Sequence, residues 1–312
     1  LDVALVGSGA GETIIDAQNT GSPVSGMRIL AGLSLIRGPI ALPGTAYMRG
    51  VDVRNVVVGG SSGKAVEFLS DFRVSGCRFM DNNVLYTIYV SSSGSTDMTI
   101  INSLAANNAH SALTVYWCNP FRIINCTFAN NDPEYGESMG QVYQQSSRVL
   151  VYNSIFKGGG INGGAEVHNC NNNDPSFRAE GYKDYQLGTA SPCVDVADGF
   201  IAPKKDLLGY VRHDDPATVN AGIGRPLYAD LGCFEADFTD VDSDGLPDRW
   251  EKENFGGLGY SGSMDPDNDG LSNQEEFVAH TDPTDDDTDK DGIGDGDELY
   301  GNGTHGDTDG YV

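Results

Sequence analysis

The stretch IINCTF, residues 123–128, recurs along the chain in recognisable form. It reads as a β-branched residue, a variable residue, Asn, a small residue, a variable residue and an aromatic residue. If the chain turns at the third position, the first, fourth and sixth side chains point inward. Asn and Gly are the residues that best tolerate the left-handed conformation of such a turn. The related stretches are LAGLSL from Leu30, VRNVVV from Val53, VSGCRF from Val74, IINSLA from Ile100, VYNSIF from Val151 and VHNCNN from Val167.

The spacing of these stretches predicts the architecture. Most copies begin about 20 to 30 residues apart, are rich in β-branched residues and lack a helical period, which is typical of a stacked β-solenoid. The third positions would form one ladder of amide side chains, and a second ladder would follow the sixth positions. An antiparallel β-sandwich with Asn-rich turns is the alternative. The first ladder comprises Asn55, Gly76, Asn102, Asn125, Asn153 and Asn169, and the second comprises Asn82, Asn108 and Asn131.

The cysteines provide a test of the solenoid prediction. Neighbouring coils lie about 4.8 Å apart, so cysteines two coils apart are separated by about 9.6 Å, which exceeds the roughly 7 Å that a disulfide can span. Cys193 and Cys233 lie outside the repeats and are the only candidates for a bridge. The expected inward columns are Cys77, Ser103, Cys126, Ser154 and Cys170, and beside them Val53, Val74, Ile100, Ile123 and Val151.

A second repeat begins with DVDSDGLPDRWE, residues 240–251. Its carboxylates stand at positions 1, 3, 5, 9 and 12 with glycine at position 6, which is the spacing of a twelve-residue calcium loop. DPDNDGLSNQEE and DTDKDGIGDGDE repeat the pattern, and a fourth copy begins at Asp307. A disordered, solubilising acidic tail is the alternative, but three copies in register favour calcium. Including the main-chain carbonyl at position 7 of each loop, the predicted ligands are Asp240, Asp242, Asp244, Leu246, Asp248, Glu251, Asp265, Asp267, Asp269, Leu271, Asn273, Glu276, Asp287, Asp289, Asp291, Ile293, Asp295 and Glu298.

Charge divides the chain into two parts. Residues 237–312 hold 23 of the 45 acidic side chains and only 3 of the 19 basic side chains. So acidic a chain without a basic patch argues against nucleic acid or an anionic membrane as a partner. No apolar run approaches the roughly 20 residues of a membrane span. The chain opens on Leu1 without a leader, and its loops suit millimolar calcium, so we expect a mature or truncated secreted protein, extracellular or on the cell surface.

Three resemblances extend this division. The coil stretches resemble the right-handed parallel β-helix family of secreted bacterial proteins. Residues 173–236, from NDPSFRAEGYKDYQLGTASPCVDVADG through RPLYADLGCFE, resemble the closing segment of choice-of-anchor β-helix proteins. The tail resembles thrombospondin type 3 calcium repeats, and its DGLPDRWE and DGLSNQEE stretches are similar to dockerin-type loops. These resemblances imply an all-β chain with β-helix coils in 1–172, a closing segment in 173–236 and a small calcium-loop module in 237–312.

One outward column offers a surface for ligands. Stacked tyrosines can bind sugar rings or an apolar protein surface, although tyrosine also suits exposed strand positions by propensity alone. The column contains one acid–base pair, Glu67 beside Arg49, and no catalytic residue is assigned. In the expected register, the column is Arg49, Glu67, Tyr89, Tyr116 and Tyr143.

These observations favour a secreted, calcium-binding structural or adhesive surface protein. Self-assembly into a fibre is one form of that role, because the chain starts without a visible helix to cap the first coil and bare β edges invite stacking. The alternative is a carbohydrate-active enzyme, a polysaccharide lyase or glycoside hydrolase acting on the β-helix face. The expected partners are calcium ions, together with copies of the chain or a polysaccharide.

Overall fold

The structure is a computed structural model that describes residues 3–6, 14–16, 24–25, 27–37, 40–42, 46–54, 63–91, 98–131, 141–179, 184–188, 190–279, 281–288 and 292–300. The chain forms two compact units, which we name the solenoid unit and the acidic unit. The solenoid unit comprises Leu1–Ser176 and Ser191–Glu235, and the acidic unit comprises Phe177–Ala190 and Ala236–Val312. Part of the 173–236 segment therefore groups with the acidic loops.

Short strands build the solenoid unit, and one hairpin with three short helices builds the acidic unit. The solenoid strands are β1 Val3–Val6, β2 Ile14–Asp16, β3 Val24–Ser25, β4 Met27–Arg37, β5 Ile40–Leu42, β6 Ala46–Arg54, β7 Lys64–Phe68, β8 Phe72–Ser75, β9 Arg78–Met80, β10 Tyr86–Ser91, β11 Met98–Ile101, β12 Leu104–Ala106, β13 Leu113–Tyr116, β14 Phe121–Ile124, β15 Thr127–Ala129, β16 Val142–Gln145, β17 Val149–Tyr152, β18 Ile155–Lys157, β19 Ile161–Asn162 and β20 Glu166–His168. The acidic unit contains β21 Phe177–Ala179, β22 Asp184–Leu187, α1 Asp248–Phe255, α2 Asn273–Ala279 and α3 Asp295–Tyr300.

Strand pairing confirms the parallel β-solenoid. Each coil contributes three strands, as in β10, β11 and β12, and each strand pairs in parallel with its counterpart one coil away. One sheet runs β19-β16-β13-β10-β7-β5-β3, and the other contains β18-β15-β12-β9-β6-β8-β11-β14-β17-β20. Because these pairs are parallel, the antiparallel sandwich is excluded for this unit.

The predicted turn positions are confirmed by the backbone. The φ angles of Asn102, Asn125, Asn153 and Asn169 are 48°, 46°, 50° and 52°, and Gly76 has φ 61°. Side-chain amides connect successive turns, because Asn153 Nδ2 donates to Asn125 Oδ1 at 3.1 Å and Asn169 Nδ2 donates to Asn153 Oδ1 at 3.4 Å. Asparagine therefore both permits the left-handed turn and bonds one coil to the next. Asn55 lies outside the described residues.

The second Asn ladder is buried and fully connected. Asn82 Nδ2 donates to Asn108 Oδ1 at 2.9 Å, and Asn108 Nδ2 donates to Asn131 Oδ1 at 2.6 Å. Each amide also donates to a main-chain carbonyl one coil back, for example Asn108 Nδ2 to Phe79 O at 3.0 Å. A buried amide is tolerated only when its donors and acceptors are satisfied, so this ladder selects a single register of the coils.

The apolar column agrees with the prediction in all but its first member. Val74, Ile100, Ile123 and Val151 pair in register and are buried. Met48, rather than Val53, pairs with Val74. The placement of Val53 in this column was therefore wrong.

The stretch MRGVDV, residues 48–53, is the copy that stands in register, with Val53 opposite Phe79. A repeat that starts at Met48 and a repeat that starts at Val53 both have apolar residues at positions one, four and six and a Gly or Asn at position three. The pattern could not choose between them. Strand pairing chose the frame from Met48.

The cysteine column is confirmed. Cys77 N donates to Ser103 Oγ at 3.3 Å, and Cys126 N donates to Ser154 Oγ at 3.1 Å. None of the six cysteines forms a disulfide, including Cys193 and Cys233. Burial raises the pKa of the Cys233 thiol to about 12 and that of Cys193 to about 11, so these thiols remain protonated packing groups at neutral pH.

The acidic unit packs around a small aromatic cluster. Trp250 lies 5.7 Å from Phe255 and 5.7 Å from Phe277 between ring centroids, and the Arg178 guanidinium lies 4.2 Å from the centre of the Phe277 ring. The longest of its helices, α1, has eight residues. Within the described part of the chain, no helix has the length and apolar character that crossing a membrane requires.

Candidate functional site

The first acidic loop closes on itself in the manner that a calcium loop requires. Gly245, at position 6, has φ 96°, and its N–H donates to Asp240 Oδ2 at 3.1 Å. Leu246 N donates to Asp244 Oδ1 at 2.9 Å. Main-chain donors thus orient the carboxylates of positions 1 and 5, and Asp240 Oδ1 accepts no hydrogen bond among the described residues. The side chain of Leu246 is fully buried, which anchors the turn.

Helix α1 begins at position 9 and brings the end of the loop back to its start. Asp248 accepts the N–H of Val241 at 2.7 Å and an Nζ bond from Lys252 at 2.9 Å. These hydrogen bonds hold the pKa of Asp248 below its usual value. Glu251 stands three residues later, on the same helix face. The sequence pattern did not indicate these helices, because each spans only two turns or fewer.

The loop gathers its carboxylates into a compact set. One ligand oxygen each from Asp240, Asp242 and Asp248 lie within 4.8 Å of one another, and so do oxygens of Asp242, Asp244 and Glu251. Two such overlapping groups account for all five side-chain ligands predicted from this loop. Like charges at that separation repel strongly unless a cation lies among them.

Glu251 is the clearest case in this loop of a buried carboxylate without hydrogen-bond donors among the described residues. Its side chain is fully buried, and neither carboxylate oxygen has a hydrogen-bond donor among the described residues. Burial first, and then the negative charges of Asp242 and Asp244, raise its pKa to about 7. A buried carboxylate ordinarily pairs with a cation or a donor, and neither oxygen of Glu251 has a donor among the described residues.

The second loop shares part of this arrangement, but its position 1, Asp265, receives the N–H of position 4, Asn268, at 2.8 Å. Oxygens of Asp265, Asp267 and Asp269 lie within 4.8 Å of one another, and Leu271 N donates to Asp269 Oδ1 at 2.7 Å. Position 2 is Pro266, which has no N–H to donate to position 9. Position 9 is Asn273, whose Nδ2 donates instead to Ser261 O at 2.9 Å.

Three ligand side chains of the second loop retain unpartnered buried oxygens. Within the part of the chain that the structure describes, Asn273 Oδ1, Asp267 Oδ2 and Glu276 Oε2 accept no hydrogen bond. Glu276 Oε1 accepts a hydrogen bond from Thr281 at 3.2 Å. Burial, reinforced by the charges of Asp267 and Asp269, raises the pKa of Glu276 to about 8. Positions 3, 9 and 12 therefore each keep an oxygen atom without a hydrogen bond among the described residues.

The third loop is described only in part. Gly292 N donates to Asp287 Oδ2 at 2.9 Å, and Thr288 N donates to Asp295 Oδ1 at 3.0 Å, which are the bonds from position 6 to 1 and from position 2 to 9 seen in the first loop. Ile293, at position 7, belongs to the described residues. Asp289, Asp291, the Glu298 side chain and the fourth copy at Asp307 lie outside them.

Successive loops are joined through the carboxylate at position 5. Gly262 N donates to Asp244 Oδ2 at 3.0 Å, and Gly296 N donates to Asp269 Oδ2 at 2.8 Å. A Cβ on Gly296 would lie 2.2 Å from Asp269 O, so only glycine allows this approach. The first loop therefore touches the segment that leads to the second, and the second loop touches position 10 of the third. The sequence analysis missed these two glycines, because nothing distinguishes them from turn glycines.

The aromatic column is built differently from the prediction. Glu67, Tyr89, Thr114 and Tyr143 stand opposite one another, whereas Tyr116 is two residues further along β13. The Tyr116 ring nevertheless bridges its neighbours, with centroids 5.7 Å from Tyr89 and 5.9 Å from Tyr143. The rings thus form a continuous strip across three coils, with Thr114 covered beneath it.

Arg49 does not belong to this strip. It lies on β6 opposite Ser75 in the other sheet, because the copy that contains it is MRGVDV. Lys64 supplies the positive charge instead, with Nζ 2.5 Å from Glu67 Oε1 and 3.8 Å from the centre of the Tyr89 ring. The expected pair of Arg49 with Glu67 was therefore wrong. The only sequence signal for Lys64 was its place three residues before Glu67.

No protein-family model matches this chain, and no curated protein and no solved structure matches it either. The interpretation of the loops and of the aromatic strip therefore depends on their own geometry and chemistry.

Proposed function

We propose that the acidic unit is a calcium-binding module of a secreted structural or adhesive surface protein. The observation that carries this proposal is the pair of buried glutamates at position 12. Within the described residues, neither carboxylate oxygen of Glu251 has a donor, and Oε2 of Glu276 has none. Two loops thus each bury a glutamate with an unpartnered oxygen at position 12. A bidentate glutamate at position 12 is the hallmark ligand of such a loop.

The donor set favours calcium over other metals. All predicted side-chain ligands are oxygen atoms, and softer ions such as zinc prefer nitrogen and sulfur. A loop of five side chains with the carbonyl of Leu246 offers six or seven oxygens, a number that suits calcium better than the strict octahedron of magnesium. The carbonyls of Leu271 and Ile293 would complete the other loops in the same way.

Calcium would make this unit a stiff, ordered extension of the chain. The contacts of Gly262 with Asp244 and of Gly296 with Asp269 link each loop to the next, so an ion in one loop supports the following segment. Helices begin at position 9 of the loops, and residues 236–239, which precede the first loop, contain none. This arrangement supports thrombospondin type 3-like or dockerin-like repeats rather than a paired-helix switch.

The proposal also covers the handedness and the family type of the solenoid. We infer a right-handed parallel β-helix of the choice-of-anchor type, closed by residues 191–235. The parallel pairing of strands that are separated by crossovers supports the handedness, because such connections are right-handed in about 98% of cases. An extracellular location is supported by the calcium loops, whose weaker forms suit millimolar calcium.

Counting bound ions tests the calcium proposal. In the full chain, Glu251→Gln and Glu276→Gln should each lower the number of bound calcium ions by one in equilibrium dialysis. Glu253→Gln, on the exposed face of α1, is the matched control and should leave the number unchanged. A wild-type chain that binds no calcium at 10 mM, a concentration above the roughly millimolar range of extracellular modules, would overturn the proposal.

A second function is favoured by the aromatic strip: binding of a polysaccharide. The rings of Tyr89, Tyr116 and Tyr143 are contiguous, and Trp117, 5.5 Å from Tyr116, is 55% exposed. Aromatic faces with a polar edge suit sugar rings. This site would serve adhesion, or would hold the substrate of a polysaccharide lyase or glycoside hydrolase.

Binding to insoluble polysaccharides tests whether the aromatic strip is a glycan site. Tyr116→Ala should abolish binding to insoluble polysaccharides, and Tyr152→Ala, a half-buried tyrosine on the other sheet, should not. Retention unaffected by Tyr116→Ala would exclude the strip as a glycan site. If the protein is an enzyme, it should release oligosaccharides, and Glu67→Gln should stop that release while Tyr152→Ala leaves it unchanged.

Self-assembly is the last part of the proposed structural role. We propose that copies of the chain associate through edge strands of the solenoid, since an unpaired strand edge can pair with another chain. The mass in solution should then exceed that of one 33.1 kDa chain and fall when calcium is chelated. A monomer with and without calcium would contradict this proposal.

A further inference from the structure

The closing segment of the solenoid unit, residues 191–235, contains a cluster of buried charges. Its buried carboxylates greatly outnumber its one buried cation, the Arg212 guanidinium. Buried carboxylates are costly unless each is paired, hydrogen-bonded or bound to a metal. The cluster comprises Asp195, Asp206, Asp215, Asp230 and Glu235.

Glu235 and Asp206 are satisfied by the protein. Glu235 receives Nη1 of Arg212 at 2.5 Å and the main-chain N–H groups of His213 at 2.8 Å and Asp230 at 3.1 Å. Asp206 receives the main-chain N–H groups of Tyr210 at 2.8 Å and Glu235 at 3.1 Å. Among the described residues, Arg212 forms an ion pair only with Glu235, and its Nε donates to Pro203 O at 2.9 Å.

Asp215 and Asp230 are also supplied with donors. Asp215 receives Ala217 N at 3.0 Å and Thr218 Oγ1 at 2.6 Å. Asp230 Oδ1 receives Asp195 N at 2.7 Å. These bonds orient both carboxylates without supplying a positive charge.

Asp195 is the exception in the cluster. Its side chain is 0% exposed, and neither of its oxygens accepts a hydrogen bond of good geometry among the described residues, although the main-chain N–H of Asp215 lies close enough to lower its pKa slightly. Burial above all, followed by the negative charges of Asp214, Asp215 and Glu235, raises its pKa to about 6. The carboxylate therefore faces other acids in a place where an anion is poorly tolerated.

We propose that Asp195 is a ligand of a calcium ion held in the closing segment, with Asp214 and Asp215 as the neighbouring acids. Asp214 is exposed and provides a route for the ion from solvent. The groups of three carboxylates close enough to share a metal, among the described residues, all lie in the acidic unit. The site at Asp195 therefore needs main-chain carbonyls and water to complete its ligands, as calcium sites of low charge do.

This site lies in the solenoid unit and is independent of the acidic loops. Its low number of carboxylates predicts a weaker affinity than that of the loops, because ligand charge sets calcium affinity. The bound ion would neutralise the closing segment, whose Asp195 main-chain oxygen also receives the N–H groups of Ala221 and Gly222, both at 2.9 Å. Calcium would then order the turn at 195 and the strand-like stretch that follows 221.

Hydrogen exchange with peptide resolution tests the site in the full chain. Calcium titrated to about 10 mM, beyond the range of weak extracellular sites, should slow amide exchange at least threefold in peptides that cover 193–199 and 213–222. Asp195→Asn should remove this effect. Asn has the same shape and tolerates the φ of 56° at this position, so the variant keeps the backbone.

The control is Asp198→Asn, since the Asp198 carboxylate already receives Phe200 N at 2.9 Å, and it should respond to calcium as the wild type does. If Asp195→Asn does not fold, Asp214→Asn should raise the calcium concentration for half-maximal protection several-fold. Unchanged exchange in the wild-type segment, or equal protection in a folded Asp195→Asn, would overturn the site. Failure of the acidic-loop proposal would instead show as unprotected peptides in 240–276, so the two outcomes are distinguishable.

Discussion

The coils of the solenoid unit and the loops of the acidic unit are both repeats rich in polar side chains, but they satisfy those side chains differently. In the coils, Asn82, Asn108 and Asn131 pass hydrogen bonds from one amide to the next. In the loops, Glu251 and Glu276 are equally buried but keep oxygens without donors within the described residues. Amides carry both donors and acceptors and can satisfy one another, whereas carboxylates only accept. The coils are therefore complete by themselves, whereas the loops keep oxygen atoms that, in our proposal, bind a cation.

The largest expected effect follows from removing calcium. A chelator should unfold the acidic unit and leave the solenoid unit intact, because the repelling carboxylates have only a small aromatic cluster to oppose them. Limited proteolysis with mass spectrometry should show rapid cleavage within 177–190 and 240–300 and a resistant core within 63–176 and 191–235. Equal resistance of both regions in chelator would contradict the comparison.

The next largest effect should come from breaking the amide ladder. Asn108→Ala removes the acceptor of Asn82 and the donor to Asn131, and each buried polar group left unpaired costs about 1 to 3 kcal/mol. We expect a loss of about 3 kcal/mol or more in the free energy of unfolding of the solenoid unit. Urea denaturation would measure it, with exposed Asn172→Ala as the control. A loss equal to that of the control would mean that the ladder does not hold the coils.

A moderate effect is expected from pH in the chelated protein. Burial raises the pKa of Glu251 to about 7 and that of Glu276 to about 8, above the usual value of 4.5. A raised folded-state pKa means that the ion-free unit is most stable when these groups are protonated, and that it loses this stability as the pH rises from about 4.5 to about 8.

With calcium present, the acidic unit should instead be more stable at high pH than at low pH, because protons compete with the ion for the same oxygens. Melting curves of the acidic unit, recorded from Trp250 fluorescence at pH 5 and pH 8 with and without calcium, would measure both trends. If the chelated protein were more stable at pH 8 than at pH 5, the assignment of buried, uncompensated carboxylates would be wrong.

The smallest effect should come from the ion pair on helix α1. Lys252 lies 2.9 Å from Asp248, but its side chain is 55% exposed, and such pairs contribute about 0.5 kcal/mol or less. Lys252→Ala should therefore lower the free energy of unfolding only slightly. Its calcium affinity should remain within about twofold, which calorimetry would measure. A large loss of affinity would show that Lys252 positions Asp248 for the ion.

Much of the solenoid could be predicted because its pattern is local. The third residue of each copy needs a left-handed conformation, and the positions that the sequence analysis assigned to it, from Gly76 to Asn169, have that conformation. The inward Cys and Ser column followed from the same frame. The frame itself failed once, at Val53, because two overlapping stretches satisfy the pattern equally and only pairing with Val74 selects Met48.

The ligand surfaces were less predictable. At β6 the repeat begins at Met48 instead of Val53, which places Arg49 in the other sheet and outside the aromatic strip. On β13, Thr114 pairs with Tyr89, so Tyr116 lies two residues beyond its expected position. Ring contacts between Tyr116 and its neighbours survive this offset because the side chains are long enough to reach diagonally across coils. The charge beside the strip comes from Lys64, which no repeat pattern marked.

Sequence alone determined the two repeats, the turn residues of the coils and the spacing of the calcium-type loops, since each depends on residues a few positions apart. Only the tertiary structure decided which polar atoms find partners. Asp195 and Asp206 look alike in the sequence, and both are buried, yet Asp206 receives two main-chain donors and Asp195 accepts no hydrogen bond of good geometry among the described residues. That difference depends on segments brought together from distant parts of the chain, which a local pattern does not encode.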